Sequence, residues 1–186
     1  MFGKIKERTQ WLFYHTVLPQ IFVFILLSLN SIGNKSFWVD EVYTMDYVHD
    51  GFGRFFNDPN MILYYILLKA WIVFGENEIF VRVLSAIAIA CSFPALFKIG
   101  KTLFSQQTGS IAVWLMAVNP VTIQYAQNAR SYGLLMSLSI WSTYAFIRSL
   151  QNSDRKWRLA YIGLITATVY THYFGILIAG LHLTAF

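Results

Sequence analysis

Two adjacent carboxylates, Asp40 and Glu41, stand in the segment Trp38-Val39-Asp40-Glu41, and an arginine closes the segment Gln127-Asn128-Ala129-Arg130. A carboxylate held at a low-dielectric boundary can act as a general base. Asp40 also has the residue type of a helix N-cap, which backbone amides and the helix dipole stabilise. A guanidinium offers paired donors to phosphate oxygens, so Arg130 suits a phosphate clamp. Each group has a plainer reading beside this one. Acids in a wet loop are commonly solvated or cap helices, and an arginine next to an apolar run can anchor at an interface. The lone His172 fits a hydrogen-bonded helix end. Tyr64, Tyr65, Trp71, Tyr125 and Tyr132 fit interfacial aromatics. Asn34-Lys35-Ser36 matches a glycosylation acceptor but abuts an apolar run and carries little weight.

The chain that must position these groups has the composition of a membrane protein. Its 186 residues are 56% hydrophobic and only 12% charged, against roughly 25% charged in an average soluble domain. One soluble core of this size could not hide that much apolar surface. Disorder is excluded because disordered chains are poor in aromatics. The single cysteine, Cys91, excludes an internal disulfide framework and a cysteine-cluster metal site. The net charge of +5 does not signal nucleic acid, because the basic residues form no single stripe.

Gaps between charges predict an all-α, polytopic transmembrane bundle with about five complete spans. A span needs roughly 17 to 25 mostly apolar residues. The first is expected over 11–32, kinked by Pro19, and the second over 79–99. A third is expected over 108–123, a fourth between Arg130 and Arg148, and a fifth over 159–177, with a sixth beginning near Phe186. The segment 61–74 gives about 21 Å of helix, too short for a ~30 Å hydrocarbon core. It is expected to lie on the membrane surface, capped by Asp58 with Pro59 at its first position. An outer loop over 33–78 would then carry surface helices. With that arrangement Lys4, Lys6, Arg8, Lys98, Lys101, Arg148, Arg155, Lys156 and Arg158 fall inside, nine of the fourteen basic residues. The inverse arrangement opposes the positive-inside rule. The N-terminus is thus expected in the cytoplasm of an inner or plasma membrane. Asp40, Glu41, Arg130 and His172 all reach the outer face.

At these residues the sequence resembles a family. Trp38-Val39-Asp40-Glu41-Val42-Tyr43-Thr44 resembles the first-loop Asp-Glu motif of the GT-C glycosyltransferases. These include protein O-mannosyltransferases, the lipid A aminoarabinose transferase and lipopolysaccharide galacturonosyltransferases. Asp58-Pro59-Asn60-Met61-Ile62-Leu63-Tyr64-Tyr65 resembles their next element, an acid before a Leu-Tyr-Tyr surface helix. The stretch from Phe74 to Ser85, Gln127-Asn128-Ala129-Arg130-Ser131-Tyr132, and Tyr170-Thr171-His172-Tyr173-Phe174-Gly175 are similar to three further elements, in order. The chain departs from the pattern at Met61-Ile62, where many relatives have Pro-Pro, and at Asn128, where many have an acid. It resembles the N-terminal part of a longer membrane domain, so residues 1–186 are expected to be a fragment, a truncated product or half of a split enzyme.

The resemblance implies sugar transfer from a polyprenyl-phosphate donor to a hydroxyl acceptor (a glycan, lipid or protein) at the outer face. Arg130 would hold the phosphate, with Lys69 or Arg82 beside it. Asp40, with Glu41 as understudy, would deprotonate the acceptor. Tyr64, Tyr65, Asp58, Gln127, Tyr132 and His172 complete the candidate binding set. No cofactor is required; the acid cluster leaves room for a divalent metal, which neither the residues nor the resemblance demands. Membrane lipids are expected partners, with a second chain supplying the missing half. Alone, the chain is expected to insert without turning over, because half a cavity cannot enclose donor, acceptor and leaving group. An inactive membrane fragment is therefore the main rival. A transporter is more distant, since ionisable groups gather at the membrane faces rather than at mid-membrane.

Overall fold

Side-chain caps set several of the helix starts. In the computed structural model, which describes residues 17–30, 32–34, 36–51, 53, 59–151 and 154–184, nine α-helices and one 3-10 turn occur, with no strand among the described residues. They are α1 (Leu18–Leu29), α2 (Val39–Asp50), the 3-10 turn Pro59–Met61, α3 (Ile62–Ile72), α4 (Glu78–Leu103), α5 (Gln106–Ala117), α6 (Pro120–Ala126), α7 (Tyr132–Gln151), α8 (Arg155–Thr171) and α9 (Gly175–Leu183). Asn77 caps α4 by accepting from the Phe80 N–H at 2.8 Å. Ser105 does the same for α5 through Thr108, at 3.1 Å, and Asp154 for α8 through Lys156, at 2.9 Å.

The chain departs from simple spans at two places. The third expected span, 108–123, is two helices, because Asn119 accepts from Val121 at 2.8 Å and so caps a new start, with Pro120 at its first position. The fifth, 159–177, ends at Thr171: His172 is extended, and α9 turns back from Gly175. That reversal is tight. A Cβ on Gly175 would sit 2.6 Å from the Thr168 carbonyl oxygen, so only glycine fits. Pro19, expected within the first span, stands at the second position of α1, where a missing N–H costs no bond. Asp58 lies outside the described residues, and Pro59 opens the 3-10 turn. Among the described residues α4, with 26 residues, is the one helix long and apolar enough to cross a membrane; α1 and α3 are shorter apolar helices.

Helices α4 and α7 run side by side in the same direction, with α5–α6 and α8 returning beside them. Close backbone contact joins α4 to α5, where a Cβ on Gly100 would lie 2.5 Å from the Gly109 Cα. One buried cluster, including Phe24, Ile89, Phe93, Val113 and Ala126, fills the space between α1, α4, α5 and α6. A second joins α2 and α3 to the start of α4 and to the α6–α7 turn through Val48, Tyr64, Leu68, Val81 and Ala129. Helix α3 therefore lies across one end of the bundle. That end holds the candidate site.

Candidate functional site

A cavity of about 760 Å³ opens at this end, lined in part by Asp40, Glu41, Arg82, Gln127, Arg130 and Tyr132. Its base is a buried ion pair. Arg82 Nε donates to Glu41 Oε1 at 3.0 Å and Nη2 to Oε2 at 2.7 Å, a bidentate geometry that suits planar groups. The Ala129 N–H adds a bond to Oε1 at 2.7 Å and the Trp38 N–H one to Oε2 at 3.0 Å. Two more Arg82 donors go to the carbonyls of Ile32 at 2.7 Å and Ser36 at 3.1 Å. Burial alone would push the Glu41 carboxyl up, but Arg82 and the two backbone amides outweigh it and hold the group below its ordinary value. Both side chains are almost wholly enclosed, at 1% and 2% exposure. Such a pair is costly to desolvate and is kept only when its donors and acceptors are satisfied, as here.

Asp40 occupies the next position and a different environment. It is the second residue of α2 rather than its cap, which is Trp38. Glu41, third in the helix, reaches back to the Trp38 amide and supplies the glutamate half of a capping box; an indole cannot return the bond. One step along a helix turns a side chain by about 100°, so Glu41 points into the protein while Asp40 stays exposed on the cavity wall. Arg130 faces the same space. Its Nη1 donates to the Asp40 carbonyl and to Thr44 Oγ1, both at 3.1 Å. Its Nε is buried without a hydrogen-bond partner among the described residues.

The turn carrying Arg130 is tied from three sides. Gln127 Nε2 donates to the carbonyls of Ser28 at 3.0 Å and Asn30 at 2.8 Å, at the end of α1. Ser85 Oγ donates to the Asn128 carbonyl at 2.7 Å, and Glu41 holds Ala129 as above. A Cβ on Gly133 would come within 3.0 Å of the Ser85 carbonyl oxygen, so α7 also starts in close contact with α4.

Other candidates from the sequence stand outside the cavity lining. Lys69 donates to the Val48 carbonyl at 2.6 Å, capping the end of α2. Tyr64 is buried with its hydroxyl beside Ser85, and burial drives its proton affinity far above a phenol's ordinary range, so it stays neutral. Tyr65 stacks on Tyr47 with ring centres 5.3 Å apart. His172 packs 5.4 Å from the Tyr132 ring, and its Nδ1 accepts from the Phe174 N–H at 3.2 Å. Of this aromatic group only Tyr132 lines the cavity. Asn34, Trp38, Gln124 and Asn128 line it too, none of them among the candidates that residue type and resemblance single out. The spacing of Gln124 and Gln127, three apart like neighbours on one helix face, was the available signal. Among the described residues, no group of three or more His, Cys, Asp and Glu side chains comes together as a metal site would require.

A family model described as dolichyl-phosphate-mannose-protein mannosyltransferase matches residues 57–185. No curated protein matches the chain, and no solved structure does. The matched segment includes Arg82 and Arg130, while Asp40 and Glu41 precede it.

Proposed function

The chain belongs to the dolichyl-phosphate-mannose-protein mannosyltransferase family, of the GT-C glycosyltransferase type, and we propose that its cavity takes part in sugar transfer from a polyprenyl-phosphate donor to a hydroxyl acceptor. The single observation that carries this reading is the meeting of Asp40 and Arg130 on one cavity wall, both set by the buried Glu41–Arg82 pair. The acceptor oxygen attacks the anomeric carbon as Asp40 takes its proton. The bond from that carbon to the phosphate oxygen breaks, its electron pair leaves with the lipid phosphate, and Arg130 stabilises the charge that develops there. Bonds from the Arg130 Nη1 to Thr44 and to the Asp40 carbonyl hold the guanidinium at the cavity wall. Lys69 and Arg82, both committed to protein acceptors, leave Arg130 as the clamp.

A membrane is the solvent this reading requires. In it the apolar run 11–32, of which α1 is the described helical part, crosses together with α4, the broken pair α5–α6, α7 and α8, and the cavity opens on the outer side. Helix α7 has 20 residues, about 30 Å of rise, which matches a hydrocarbon core. Phe22, Leu115 and Leu181 are 64%, 65% and 65% exposed, as lipid-facing side chains would be. The positive-inside distribution of cations sets the orientation.

The test is transfer of labelled sugar in membranes containing the natural gene product, with a panel of polyprenyl-phosphate donors. Asp40→Asn is expected to lower transfer by about 10²- to 10⁴-fold, with the amount of membrane-inserted protein unchanged. Near-normal transfer in that variant would remove Asp40 from the mechanism.

A further inference from the structure

The end of the bundle away from the cavity is built as a ladder of rings bearing cations. Lys98, on α4, places its Nζ 5.6 Å from the ring centres of both Trp141 and Tyr144 on α7. Tyr144 meets Trp157 of α8 edge to face at 5.4 Å, and the Arg148 guanidinium lies 5.5 Å from the Trp157 ring centre. The Trp141 ring is itself fixed, because its indole N–H donates to the Cys91 carbonyl at 2.9 Å. Three helices thus hold two cations on one continuous aromatic surface. A π-face orients a cation without cancelling its charge.

More positive charge gathers around this ladder. Arg155 and Lys156 are exposed in the first turn of α8, where cations oppose the helix dipole. Helix stability therefore does not account for them. Asp154 is the one acid at this end among the described residues, and its carboxylate is engaged as the α8 cap. Exposed apolar side chains stand on the same helix ends: Phe104, at the end of α4, is 76% exposed and Leu159, near the start of α8, 56%. A nucleic acid would gain nothing from those apolar groups. A phospholipid would use both, with its phosphate among the cations and its acyl chains against the apolar side chains.

We propose that Lys98 and Arg148, held in place by the rings of Trp141, Tyr144 and Trp157, bind the headgroup of an anionic phospholipid in the leaflet opposite the cavity. This rests on the membrane-spanning reading above. The full chain, purified in a neutral detergent, is titrated with phosphatidylglycerol or phosphatidylcholine, and retained lipid is counted by native mass spectrometry. Wild type is expected to retain phosphatidylglycerol selectively. Lys98→Gln combined with Arg148→Gln is expected to weaken that retention by about 30-fold, from the attraction of two cations near an anionic surface. Trp157→Leu, which keeps every charge, is expected to reduce selectivity as well. Equal retention of both lipids, an undiminished preference in the double variant, or displacement by a short oligonucleotide at equal strength would overturn the proposal. A chain that stays monodisperse in buffer without detergent would overturn the membrane reading itself, and this inference with it.

Discussion

Asp40 and Glu41 share a peptide bond and belong to two different regions of the cavity. Glu41 is part of a closed knot in which its carboxylate takes four hydrogen bonds from Arg82, Ala129 and Trp38. Asp40 is part of an open rim with Arg130, whose Nη1 grips the Asp40 backbone rather than its carboxylate. The knot has no bonding capacity left for a substrate; the rim does. The residue type is nearly the same in both, and it is the number of fixed partners that separates a structural acid from one able to accept a proton.

The hardest way to break this contrast is to cut the knot. Glu41→Ala leaves Arg82 buried and unpaired, and should cost about 3 to 5 kcal/mol of stability, read as a lower thermal midpoint in detergent. Pairing it with Arg82→Met removes the stranded charge and should restore part of that loss, though not the position of the 127–130 turn. A double variant no more stable than Glu41→Ala would show that the pair is not the seat of the effect.

The rim should respond in activity alone. Arg130→Lys keeps one positive charge and loses the planar fork, so transfer should fall by about tenfold to a hundredfold, the scale of a charge-assisted bond. Its thermal midpoint should stay near that of the natural protein. A fall in midpoint as large as that of Glu41→Ala would place Arg130 in the knot instead.

Acid offers a gentler version of the first cut. Because the folded Glu41 carboxyl lies below its ordinary value of 4.5, its contribution is complete above that pH and is lost as pH falls through the lower, folded value. The thermal midpoint of the natural protein should therefore drop progressively below about pH 4.5, and Glu41→Gln should flatten that limb. An identical acid limb in Glu41→Gln would assign the acid sensitivity to other groups.

The helices were largely legible and the knot was not. The run 79–99, apolar between Arg82 and Lys98 near its ends, is contained in α4. The break at Asn119-Pro120 was written in the sequence as a cap followed by proline, yet a hydropathy window averages across it. The end of α8 at His172 was hidden for the same reason, since apolar residues continue through Gly175 into α9. Asp40 and Glu41 could be singled out by type and by resemblance, but not told apart. Their roles depend on Arg82 and Ala129, which lie 41 and 88 residues further along the chain. Side-chain periodicity along a short helix does not report partners at that distance.

Those separations impose an order on synthesis. Membrane insertion that proceeds from the N-terminus presents the Glu41 carboxylate first, neutralises it when Arg82 is delivered, and completes its bonds only with the arrival of Ala129. The carbonyls of Ser28 and Asn30 wait still longer in sequence, 99 and 97 residues, for the Gln127 side chain. Before this turn is made, the Glu41 carboxylate lacks its Ala129 bond and the Ser28 and Asn30 carbonyls lack the Gln127 donor. The cavity wall is therefore set by residues that join in sequence order, the last of them the 127–130 turn.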